Sequence, residues 1–159
     1  MGLDDWLVAL HLLAAAALVA ALVVLAVVAA ALRGTDVPAP TLRLGRLARV
    51  GTATIILGTL GTLLTGVWLA ISLDGVALRD GWVIAGIVLW ALVTGAGQKA
   101  GAEYGRSLDL ANELDASGRA GASAELAARN RTAMGQAMLA LAGAAALAVL
   151  VVMIWKPGA

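Results

Sequence analysis

Two residues of this chain are best suited to chemistry, one imidazole and one thioether. His11 is the single histidine of the 159 residues, and Met153 is one of four methionines. A neutral imidazole can ligate haem iron or a transition metal, and a thioether can add a weak, soft second ligand. That pair suits haem or a copper ion. A lone imidazole also has a plainer use, hydrogen bonding to a carbonyl or a threonine of a neighbouring helix. Metal sites usually take three or four ligands, and neither a second His nor any Cys is available. Without Cys there are no disulfides, thiolate clusters or thiol nucleophiles. A net charge of +1 argues for neither a nucleic-acid partner nor an acidic substrate.

The elements that would position His11 and Met153 are set by composition. The chain is 62% hydrophobic and 13% charged, far from the balance of a water-soluble domain. Crossing a bilayer core takes about 20 apolar residues, and four runs meet that length, near 6–32, 50–73, 81–98 and 132–155. The expected fold class is all-α: one integral membrane four-helix bundle over 1–159, with a cytoplasmic helical hairpin extension at about 99–131, between helices three and four. The first run does not read as a cleaved signal. Asp4 and Asp5 stand where a signal needs positive charge, and the apolar run is too long.

Charge supplies the orientation. Nine of the 11 Lys and Arg fall on one side of the four spans: Arg33, Arg43, Arg46, Arg49, Lys99, Arg106, Arg119, Arg129 and Arg131. Arg79 and Lys156 fall on the other. Basic residues stay on the cytoplasmic side, so both termini are expected outside, with the chain in a bacterial inner membrane. Arg43, Arg46 and Arg49 recur every third residue as orientation anchors or contacts to anionic lipid. Trp6, Trp68, Trp82 and Trp155 mark the external boundary, where an indole prefers to sit. Only Trp90 lies deeper.

Helix two carries Gly58, Gly61 and Gly66 among threonines. Helices in lipid gain little by hiding apolar surface from one another, so close backbone approach must hold them. Gly58 and Gly61 should mark the tightest crossing. Gly97, Gly101 and Gly105 repeat the small-residue spacing on helix three, either inside the bundle or between protomers. Gln98 and Gln136 are expected to pair between helices, and Thr41 to cap helix two. Lys99/Glu103, Glu103/Arg106, Arg106/Asp109 and Glu125/Arg129 stand three or four apart, as ion pairs along the hairpin helices. Ser117-Gly118-Arg119-Ala120-Gly121 reads as the turn, with Ser123 capping the returning helix.

Several short motifs give a resemblance. They are Leu10-His11 after Trp6, Thr65-Gly66-Val67-Trp68-Leu69 ending helix two, Gly81-Trp82 opening helix three, and Val152-Met153-Ile154-Trp155-Lys156-Pro157-Gly158 closing helix four. Together they resemble the CopD-like superfamily of small four-helix bacterial membrane proteins. The nearest branch is the uncharacterised predicted integral membrane protein group (domain of unknown function 2269). The HemJ-type protoporphyrinogen oxidases are more distantly similar. Their helix-three Lys is Gly86 here, their later His falls within Thr94 to Gly97, and their Trp-x-Gly-Gly is Leu18-Val19-Ala20-Ala21. The resemblance therefore implies fold and location, and of the oxidase pattern only His11 carries over.

Deep spans hold no carboxylate, Lys or Arg, the residues that mark proton relays and ion paths. The expected function is structural or accessory, without catalysis, in a homo- or hetero-oligomer among membrane lipids. The alternatives are a haem- or copper-handling protein using His11 with Met153, and a small-solute transporter with a Thr-lined helix two.

Overall fold

The computed structural model describes residues 2–72 and 78–156. The end of the second expected span at position 73, most of the 74–80 link and the Pro157-Gly158 motif fall outside them. The elements are α1 (Leu3–Leu32), α2 (Pro38–Ser72), α3 (Gly81–Ala116), α4 (Ala124–Asn130) and α5 (Ala133–Trp155). No strand occurs among the described residues. Four helical stretches are long and apolar enough to cross a membrane: α1, α2, α3 and the α4–α5 run.

The two long helices exceed the bilayer. At 1.5 Å per residue, the 36 residues of α3 reach about 54 Å, against roughly 30 Å of hydrocarbon. The surplus lies at the end that carries most of the basic residues, hereafter the basic end; the opposite one is the tryptophan end. Helix α2 begins at Pro38, before Thr41, so Thr41 does not cap it. Proline suits a first helical turn, whose N–H groups have no acceptor inside the helix. Thr41 instead sits one turn in, with its amide and its hydroxyl both donating to the Val37 carbonyl (3.4 and 3.0 Å).

Helix α3 stops at a Schellman turn. The Arg119 amide donates to the Leu114 carbonyl (2.9 Å) and the Gly118 amide to the Asp115 carbonyl (3.0 Å). This needs a left-handed residue at position 118, where φ is +73°, and glycine adopts it without a Cβ penalty. Ser123 caps α4 by accepting from the Leu126 amide. The fourth crossing then breaks at Arg131, and Thr132 caps α5 by accepting from the Gly135 amide.

Helix α1 packs mainly on α2, and α3 on α5; the α2–α3 contact joins the two pairs. Mid-bundle, Leu18, Leu22, Val93, Ala96, Ala142, Ala145 and Ala146 form the core, with Ile55 and Leu139 against it. Leu57, Leu64 and Ile71, one α2 stripe, lie exposed, as residues facing lipid should. At Gly58 the backbone of the neighbouring helix itself stands against the glycine. A Cβ there would lie 3.0 Å from the Ala14 carbonyl oxygen, 3.0 Å from the Leu18 nitrogen and 3.2 Å from the Leu18 Cα. At Gly61 it would lie 2.9 Å from the Ala14 Cβ. The expected crossing at Gly58 and Gly61 is thus the α1–α2 seam.

Candidate functional site

His11 sits half-buried in that same seam, toward the tryptophan end. Its Nδ1 lies 3.0 Å from the Thr65 hydroxyl oxygen. Thr65 has one hydroxyl hydrogen, and it is directed to the Gly61 carbonyl at 2.6 Å. The hydroxyl therefore accepts from the ring, so Nδ1 carries the proton. In a neutral imidazole the lone pair then lies on Nε2, and the ring is also hydrogen-bonded to the Thr62 backbone. Gly66 makes room for the ring, since a Cβ there would stand 3.0 Å from His11 Cε1 and 3.4 Å from Nδ1. Anchoring one ring nitrogen while the other keeps a lone pair is how metal-ligating histidines are oriented.

Met153 occupies a different seam. It packs with Val152 against Ala70, Trp82 and Val83, and its methyl fills the space over Gly86, where a Cβ would come within 2.5 Å. The side chain is thus engaged by α3 while His11 is engaged by α2. Among the described residues no group of three or more His, Cys, Asp or Glu could hold a metal ion.

The four boundary tryptophans are not equivalent. Trp6, Trp68 and Trp155 are exposed, Trp155 at 80%, whereas Trp82 is only 9% exposed. The Lys156 ammonium stands 5.4 Å from the Trp82 ring centroid, a cation–π contact. Trp90 ties α3 to α2 by donating to the Thr59 carbonyl at 3.1 Å. Most helix-two threonines bond to their own backbone, whereas the buried Thr59 hydroxyl has no partner among the described residues. Thr52, Thr54, Thr62 and Thr65 each donate to the carbonyl four residues earlier.

Past Gly86, the later glycines of α3 behave unlike those of α2. A Cβ at Gly97, Gly101 or Gly105 would meet nothing within 4 Å, so the chain leaves this face open. Exposed Gln98 lies beside it. The expected Gln98–Gln136 hydrogen bond does not form among the described residues; Gln98 is exposed and Gln136 half-buried. Among the hairpin ion pairs, Glu103 takes both bases, Arg106 at 2.8 Å and Lys99 at 4.0 Å. No Arg106–Asp109 or Glu125–Arg129 pair joins them among the described residues.

Sequence reasoning missed the largest of the fully buried polar side chains. Asn130 is 0% exposed; its Nδ2 donates to the Thr35 carbonyl (3.0 Å) and the Thr41 hydroxyl (3.1 Å). Beneath it Leu126 packs with Ala111 and Leu114, and the Ser123 amide donates to the Asp36 carbonyl (2.9 Å). Arg131 Nε donates to the Arg33 carbonyl (3.1 Å). The hairpin is therefore folded back onto the α1–α2 turn rather than projecting freely. Its signal was an Asn between two arginines, which looks like any solvated polar stretch.

The geometry offers one oriented imidazole, a tightly crossed seam and an open glycine face, on four helices fit to cross a bilayer. No curated protein and no solved structure matches the chain. A family model described as predicted integral membrane protein (DUF2269) matches residues 5–157. By that match over nearly its whole length, the chain belongs to the DUF2269 family of predicted integral membrane proteins.

Proposed function

We propose that this protein is a non-catalytic accessory subunit of a larger membrane assembly, with both termini outside a bacterial inner membrane and the α3–α4 hairpin in the cytoplasm. One observation carries the reading. The α2 glycines are consumed inside the chain, whereas Gly97, Gly101 and Gly105 face outward with nothing above them. Small residues serve close helix–helix approach, Gly97 within the expected span and Gly101 and Gly105 on its continuation, and no helix among the described residues covers them. The orientation is supported by the distribution of Lys and Arg and by exposed Trp6, Trp68 and Trp155 at one end.

Native gels of mild-detergent extracts test this. The wild-type chain should migrate in a complex larger than the monomer. Gly101→Ile should release it as a folded monomer, because the added side chain meets nothing inside its own bundle. A monomeric wild type, or an assembly indifferent to Gly101→Ile, would count against the role.

A second reading, haem or copper handling, is favoured by the Nδ1 hydrogen bond that puts the His11 lone pair on Nε2. Under it, purified protein shows a Soret band or bound copper, and His11→Ala abolishes the signal. Met153 would assist only by turning away from Gly86, so Met153→Leu should then weaken the signal. A colourless, copper-free protein ends this reading.

A further inference from the structure

We propose that the outward face of α2 between positions 43 and 50 binds anionic phospholipid headgroups. Arg43, Arg46 and Arg49 hold the phosphates, and Leu47 and Val50 meet the adjoining acyl chains. All three arginines are exposed. None forms an ion pair among the described residues, whose ion pairs both go to Glu103 on α3. The chain's own carboxylates thus leave this positive face unneutralised.

The geometry matches the depth of a headgroup layer. Helix α2 runs without a break from Pro38 to Ser72, so the arginines are fixed relative to the membrane-crossing part. Positions 43, 46 and 49 are separated by about 4.5 Å each along the axis, about 9 Å in all. The polar layer on each side of the hydrocarbon is roughly 5–8 Å thick, and an arginine side chain can reach a few ångströms up or down. The inward side of this stretch is taken, by Leu108 against Gly45 and Leu25 against Gly51. On the outward side Leu47 and Val50 are 57% and 67% exposed. Apolar side chains at that level suit the start of the acyl region and do not suit a soluble acidic partner. A guanidinium presents a planar fork of donors that fits phosphate oxygens, and anionic leaflets attract basic residues placed beside them. The inference needs only the bilayer, and stands whether or not the protein is an accessory subunit.

The test uses the full chain in nanodiscs of equal phosphatidylglycerol and phosphatidylcholine, with retained lipids counted by native mass spectrometry after release. Wild type should retain the anionic lipid several-fold over the zwitterionic one. The triple variant R43Q/R46Q/R49Q should approach parity, and each single variant should fall between it and the wild type. Arg119→Gln, on the hairpin turn, should keep the wild-type preference. Raising the ionic strength from about 0.05 to about 0.5 M should shrink the wild-type preference, a readout that needs no variant to fold. Parity in the wild type, a preference untouched by the triple variant, or indifference to salt overturns the proposal. Competition by millimolar inorganic phosphate would also overturn it, by making the ligand a free anion. A co-purifying protein on this face with lipids at parity would do the same.

Discussion

Gly58→Val should be the most damaging single substitution in the bundle, lowering stability by about 3 kcal/mol, the upper end for an overpacked interior. The atoms it meets belong to the α1 backbone, the Ala14 carbonyl and the Leu18 amide and Cα. Backbone cannot swing aside as a side-chain tip can, so the two helices must part along the seam. Parting them also disturbs His11, whose hydrogen bond to Thr65 spans the same interface. Unfolding in mild detergent, followed by helicity against temperature or added SDS, measures the loss. Gly95→Val is the control, since a Cβ there meets nothing within 4 Å and the position lies off the Gly97, Gly101 and Gly105 face, and it should stay within about 0.5 kcal/mol of wild type. Equal melting of the two variants would mean that α1 and α2 do not cross at Gly58.

Asn130→Asp should come next, and should exceed Asn130→Ala. Alanine removes two donors from a fully buried site, stranding the Thr35 carbonyl, at a cost of about 2–3 kcal/mol. An introduced carboxylate is worse, because it places a desolvated negative charge beside that carbonyl. Burial holds such a carboxyl's folded-state pKa above its unfolded value. The penalty is therefore present at neutral pH and fades as pH falls, when the protonated group can donate to Thr35. Hydrogen exchange over 33–41 and 124–131 reads the local effect, and thermal unfolding at several pH values reads the sign. If the two variants match at all pH values, Asn130 does not close the basic end.

How legible these features were in the sequence follows from how local they are. Helix existence and a tight crossing on α2 were readable, though not that α1 is the partner, because about 20 apolar residues and a Gly-rich face each point to one outcome in lipid. Gly58 needed no knowledge of its partner, since only a close approach rewards so small a residue there. His11 was readable as a hydrogen-bonded ring, though not its tautomer, which depends on where the Thr65 hydroxyl sends its proton. Trp82 misled in part. Its position at the start of α3 suggested a boundary indole, yet α5 returns to cover it and Lys156 stands over it. Asn130 was invisible for a related reason. Its partners Thr35 and Thr41 lie 95 and 89 residues away, and nothing in the local run of polar residues announces burial. The spacing of Gly97, Gly101 and Gly105 was plain, but spacing alone did not say that the chain leaves that face bare.

The clasp around Asn130 has a bearing on biosynthesis. Everything in the α1–α2 seam is encoded by the first 72 residues, so that half can assemble while the remainder is still on the ribosome. Thr41 and the Thr35 carbonyl gain their Asn130 partner only once residues 123–131 have emerged and swung back. A chain arrested before that point thus leaves the base of the first helix pair unclosed.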